Sequence, residues 1–537
     1  MKALPQSLSV AILPISLLAL CACNGSGAPP STFTIGGTVV NLAGTGGGLV
    51  LQDNLKDTML VNANGRFTFA NPVASESSYS ITISAQPSAP AQICGVVNGS
   101  GIATADITNV EVNCGHNEWA WAKGSASANA AGVYGTQGTP GANNTPGARQ
   151  FPVTWTDASG NFSLFGGQAI VNNTYVLAND LWEFKAGQWT WVGGSSVGNA
   201  AGVYGTLGVP APENFPGGRK EAMSWTDKSG NFWLFGGLGY DSAGNVGQLN
   251  DLWKYSDGQW TWMNGPNITG LAGVYGTMGV PSPDNFPGAR LGGATWTDSS
   301  GDLWLFGGLG GVANEMNTGY NDLWRFSDGE WTWMGGTNAK DQDGVYGTKG
   351  VASPENVPGA RFWSVAWTDT SGNFWLFGGD SDVHGWLNDL WEYSDGEWTW
   401  MAGSNLPMQP GIYGTRGAPA AANTPGSRQM AIGWTDASGN LWLFGGNGAD
   451  SQGNPGLLND LWEFTDGKWT WISGSSAVNQ AGVYGSQGTP FPGNVPGARA
   501  EMGPWVDLNG NLWLFGGFGV PASGSEGNLN DLWMYMP

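Results

Sequence analysis

Apolar residues in this chain come in short bursts, and the order of the bursts repeats. Between residues 149 and 533 the same series returns six times at a nearly constant interval. Each copy has an Arg, a run ending in Trp-(Thr/Val)-Asp, a Leu-Phe-Gly-Gly and an Asn-Asp-Leu-Trp, and five copies add a Trp-Thr-Trp. The arginines are Arg149, Arg219, Arg290, Arg361, Arg428 and Arg499, and the aspartates of Asn-Asp-Leu-Trp are Asp180, Asp251, Asp322, Asp389, Asp460 and Asp531. In the second copy the alternation predicts strands over 220–226, 232–235, 251–255 and 259–262, with turns at 227–231 and Asp257-Gly258. Four short antiparallel strands repeated six times make a radial array of small sheets. The last copy lacks its Trp-Thr-Trp, while Trp119-Ala120-Trp121 stands alone before the first. These deficits complement each other, so the amino-terminal run should supply the outer strand of the sixth sheet and close a ring over 117–537. The expected fold is all-β, a six-bladed propeller preceded by a small β-sandwich.

The sandwich is expected over 32–114, where alternating runs such as 34–40, 66–69 and 79–83 are separated by Gly, Asn and Pro clusters. About seven short strands in this span resemble the Ig-like or prealbumin-like modules of bacterial surface proteins. Cys94 and Cys114 read as one disulfide of an exported protein. Residues 23–31 are Gly/Pro/Ser-rich and read as a tether. Lys2 and the apolar stretch 8–20, too short to span a bilayer, read as a signal peptide over 1–22. Leu20-Cys21-Ala22-Cys23 resembles a bacterial lipobox, which implies cleavage before Cys23, acylation of Cys23 and an outer-membrane or cell-surface location. An ordinary signal peptide is the other reading.

The recurring Phe-Gly-Gly at 165–167, 235–237, 306–308, 377–379, 444–446 and 515–517, with an aromatic on the third strand and Trp on the fourth, resembles kelch repeats. The units are longer than the usual kelch pattern, because a segment of constant length, such as 192–218 or 263–289, separates each Trp-x-Trp from the next Arg. The resemblance implies the propeller fold of the galactose-oxidase central domain. It does not extend to that enzyme's copper chemistry, which needs paired His and Tyr ligands and a Cys-modified Tyr, because the propeller region has one His and no Cys. Hairpins such as 436–442 resemble sialidase Asp-boxes only faintly, and their aspartates read as caps of their own turns. No metal and no cofactor is expected.

Composition narrows the partners. The formal charge of −22 opposes nucleic acid and anionic membrane surfaces, so a lipid anchor would be the only membrane contact. The 31 tryptophans invite a carbohydrate-binding reading, yet 29 occupy template positions and read as core. The other two, Trp363 and Trp386, belong to the fourth copy. That copy also carries His384, in the hairpin 380–387, which is shorter than its equivalents 168–178, 238–249, 309–320, 447–458 and 518–529. Trp363, His384 and Trp386 are expected to cluster on one loop face with Arg361.

The six arginines should ring the channel mouth on that face, either as ligand-binding groups or as ion-pair partners of the six aspartates; sixfold identity favours pairing. Two positions beyond each Arg the copies read Phe151, Glu221, Gly292, Trp363, Met430 and Glu501, a position that varies while its neighbours do not. Glu221 and Glu501 read either as a sugar-binding or acid–base pair beside Trp363, or as carboxylates neutralised within the channel. The function expected is recognition of a glycan or protein on this face. The alternatives are a glycan-active enzyme, a hydrolase or sugar epimerase using Glu221 or Glu501, and a structural display protein.

Overall fold

The computed structural model describes residues 31–537 apart from 43–47, 55, 86, 88–93, 115–117, 158, 173, 312–317, 382, 489 and 491–492. The signal segment with Cys23, and the tether except Ser31, lie outside the described residues. Within them the chain forms strands and turns and no helix.

Residues 32–113 build two four-stranded sheets. One orders Gly65–Thr68, Ile35–Val40, Ile107–Asn113 and Gly95–Val97; the other orders Asp57–Val61, Leu49–Asp53, Ser78–Ala85 and Ser100–Ile102. Alternate residues face inward, so Ile35, Val39, Leu49, Leu51, Ile81, Val110 and Val112 form one core. Cys94 and Cys114 are bonded within it. The described strands number ten rather than about seven: eight lie in the two sheets, and the short pieces Thr32–Phe33 and Val73–Ala74 pair separately.

Each blade follows one plan, seen in the second. Met223–Thr226, Phe232–Tyr240, Val246–Ser256 and Gln259–Asn264 pair in order and antiparallel. The middle strands run longer than the sequence suggests because the pairing continues through the double glycine with a bulge. Gly236 needs its φ of +61°, and a Cβ there would strike the carbonyl of Arg290 in the next blade. The first strand is shorter than expected. Glu221 takes φ +57° and separates Arg219–Lys220 from Met223–Thr226.

Neighbouring blades enclose apolar cores built on the template aromatics. Trp155, Phe232 and Trp253 lie between blades one and two, Trp225, Leu305 and Trp324 between two and three, and Trp296, Leu376 and Trp391 between three and four. Trp367, Leu443 and Trp462, then Trp434, Leu514 and Trp533, and finally Leu164, Trp182 and Trp505 complete the circle. Six interfaces for six blades define a closed ring. The closure is made by Glu118–Lys123, which pairs antiparallel with Gly527–Met536 and sets Trp119 opposite Tyr535.

The segments that lengthen each unit are not idle loops. In the second blade Val203 pairs with Phe215, and Ala211 bridges back to Trp260 on the outer strand. The segment therefore straps across the blade it precedes.

Candidate functional site

The arginines stand at the head of the innermost strand, 0–1% exposed. Arg219 donates from Nη1 to Asp251 Oδ1 at 2.7 Å and from Nη2 to Asp251 Oδ2 at 2.8 Å. Its remaining bonds go to the carbonyls of Gly217 and Gly236. Arg149–Asp180, Arg290–Asp322, Arg361–Asp389, Arg428–Asp460 and Arg499–Asp531 repeat the pairing at 2.7–2.8 Å. Two more donors converge on Asp251, the Tyr204 hydroxyl at 2.6 Å and the Trp253 indole at 2.7 Å. Burial pushes the Asp180 and Asp389 carboxyls up, but the Arg149 and Arg361 guanidiniums and these hydrogen bonds outweigh it, and both sit below the usual carboxylate range. Of the two roles open to Arg149, Arg219, Arg290, Arg361, Arg428 and Arg499, the geometry realises the pairing one in all six. The tyrosine of each Gly-(Val/Ile)-Tyr-Gly escaped the sequence reading; its signal was its recurrence at 134, 204, 275, 346, 413 and 484.

The variable position lies immediately inside this wall. Phe151, Glu221, Gly292, Trp363, Met430 and Glu501 all take φ between +50° and +68°, so none sits in a simple strand alternation. Their backbones link the blades in sequence. Phe151 N–H donates to the Glu501 carbonyl, Glu501 to Met430, Met430 to Trp363, Trp363 to Gly292, and Gly292 to Glu221. The side chains gather across this circle. The Trp363 indole passes over Gly292, where a Cβ would collide with it, and donates to Glu221 Oε2 at 3.1 Å. Trp363 stacks with Phe151 at 6.4 Å, and the Lys220 ammonium lies 2.9 Å from Glu221 Oε1 and above the Phe151 ring. Glu221 is thus engaged through both oxygens, whereas Glu501 Oε2 is buried without a partner. Burial, then the charge of Glu221, raises the Glu501 carboxyl to about 7 against a smaller opposing pull from Lys220.

His384 and Trp386 do not join this cluster, which corrects the expected grouping with Trp363. The left-handed turn at 363 sends its indole toward blades two and three. His384, in the hairpin turn, puts Nε2 2.7 Å from Asp343 of the preceding strap. Trp386 meets Gln429 of blade five, whose amide, oriented to donate to Asp380, accepts from the Trp386 indole at 3.2 Å. The short hairpin leaves a groove of about 390 Å³ lined by Asp341, Asp343, Val383, His384, Leu406 and Pro407 above the sealed Arg361.

The Asp-x-Ser-Gly-Asn hairpins are capped turns. Asp227 Oδ1 accepts from the backbone N–H of Ser229 and Asn231, and its Oδ2 from the Asn231 amide and the Trp233 indole. Among the described residues no group of three or more His, Cys, Asp or Glu is placed to hold a metal ion.

Sheets, glycine bulges and closed ring together define a six-bladed, kelch-like β-propeller. No protein-family model matches the chain, and no curated protein matches it by sequence. Among solved structures it is similar to YjhT at 15% identity and TM-score 0.42, over 72% of this chain and 95% of that one. It is also similar to a fungal alcohol oxidase of the AA5 family in complex with copper, at 15% identity and TM-score 0.37, over 72% of this chain and 62% of that one. A protein of unknown function from Dyadobacter fermentans shares 10% identity at TM-score 0.40, over 73% of this chain and 95% of that one. The assignment of the fold rests on the sheets and the six interfaces.

Proposed function

We propose that the chain is an exported, lipid-anchored recognition protein that binds a glycan or protein ligand on the face carrying the blade-four groove. One observation carries this reading: in a ring whose other motifs repeat six times, the fourth blade alone cuts its hairpin to 380–387, and the groove opens beside it. Surfaces that break a repeat are where repeat proteins carry specificity. Cys23 would hold the anchor, and the disulfide of the sandwich suits an oxidising compartment. The test is a solution screen of the full chain against glycan and peptide arrays. Saturable binding weakened about tenfold in His384→Ala or Leu406→Ser, without turnover, is expected for a groove contact. Binding indifferent to both substitutions contradicts the reading.

Glu501 favours a second reading, a glycan-active enzyme. A carboxyl raised to about 7 beside Glu221, which Lys220 pairs, with Trp363 and Phe151 as walls, has the chemistry of a general acid and its partner. Product formation that disappears in Glu501→Gln and Glu221→Gln would establish it.

A further inference from the structure

We propose that the blade-four groove accepts a segment of a protein partner that carries a basic residue next to an apolar one. The inference rests on the recognition reading above and names the ligand class for the same site.

The groove's apolar surface brings together exposed side chains of the shortened hairpin and of the strap that follows the fourth blade. Val383 is 61% exposed and Leu406 59%, and Met408 continues the patch beside Gly385. Exposed valines elsewhere, such as Val203, Val274 and Val345, stand at one template position of the straps. Leu406 shares its strap position with Val197 and Ile268, which are also exposed, but Met408 stands where the other straps carry Asn, Gly or Asp, and Val383 belongs to the shortened hairpin. At about 390 Å³ the groove falls in the range of pockets that admit a few side chains, roughly 300–1,000 Å³.

Charge selects the rest of the ligand. One wall carries Asp341 and Asp343, and the Asp343 side chain is 81% exposed. Of the nitrogen groups that line it, Arg361 is held by Asp389 and the His384 ring by Asp343. Lys340 precedes this wall in sequence and does not line it. An acidic rim on a chain of net charge −22 attracts a cationic partner and repels an anionic one.

A sugar fits less well because, among the described residues, the groove has no free aromatic face. Its one lining aromatic, Tyr346, holds Asp389 through its hydroxyl and packs its ring against Trp391 and Trp400. Trp386 is engaged by Gln429, and Trp363 covers the channel.

Synthetic octapeptides carrying one Arg or Lys beside Leu or Ile, and matched peptides with Glu replacing the base, are titrated against the full chain by fluorescence polarisation. The basic peptides should bind and the acidic ones not. Asp343→Lys should weaken binding by about tenfold or more, Asp343→Glu should restore it, and the affinity should fall with salt. Val383→Ser combined with Leu406→Ser should weaken it similarly, with an unchanged thermal midpoint because both residues are exposed. Absence of peptide binding, equal binding of acidic and basic peptides, or binding indifferent to these substitutions overturns the inference. If the same substitutions instead abolish binding of an arrayed glycan, recognition stands and the peptide assignment fails.

Discussion

Asp251 accepts two bonds from Arg219, one from Tyr204 and one from Trp253, all at 2.6–2.8 Å and all out of contact with water. A buried ion pair adds little over an apolar substitute, but losing one partner strands the other. Asp251→Ala should therefore cost about 3–5 kcal/mol in chemical unfolding. Tyr204→Phe, which removes one bond to the Asp251 side of the ion pair, should cost about 1.5–3 kcal/mol. Equal small losses from both would mean that the pair is not sealed. Glu501 behaves differently. Its folded-state value of about 7 stands above the ordinary 4.5, so the native state holds the proton more tightly than the unfolded chain. The resulting stability is complete below pH 4.5 and is lost as pH rises through 7. Glu501→Gln should thus exceed wild type in stability above pH 7 by on the order of 2 kcal/mol, and the gap should narrow as pH falls toward the carboxylate range. Denaturant titrations at three pH values read this directly, and a gap that widens in acid would contradict it.

At the scale of strands and straps, the seam is the informative element. Among the described residues Glu118–Lys123 is the one blade strand contributed from the amino-terminal side, and Trp119 fills the position that Trp189, Trp260, Trp331, Trp398 and Trp469 fill elsewhere. Trp119→Ala should cost about 3–5 kcal/mol, as a large core truncation does. It should also speed amide exchange first along Gly527–Met536, its partner strand. Uniform exchange around the ring would mean that the seam is no weaker than the other interfaces. The strand pattern, the closure and the inter-blade role of the template tryptophans were legible in the sequence because apolar alternation and sixfold repetition report them directly. The break at Glu221 and its equivalents was not, because a left-handed residue leaves no mark on the apolar pattern when its side chain is free to vary. The straps were invisible for a related reason: Tyr204 binds the carboxylate of Asp251, far along the chain, and no local periodicity encodes that contact.

For the whole molecule, sixfold sameness and local difference separate two kinds of residue. Arginines, aspartates, tyrosines and tryptophans that recur in every copy are bonded to one another and form the ring. Two places depart from the template, the channel mouth around Glu221, Trp363 and Glu501, and the groove around Val383 and His384. Sequence alone pointed to the fourth blade and to the variable channel position. It joined Trp363 to His384, which only the backbone turn at 363 separates. The claim that recognition resides in what the fourth blade does differently is tested most directly by replacing residues 380–387 with the longer hairpin 238–249 of the second blade, whose strands share its framework. Titration of the exchanged chain with the basic octapeptides should show affinity reduced by about tenfold or more at an unchanged unfolding midpoint. Full affinity in the exchanged chain would contradict the account.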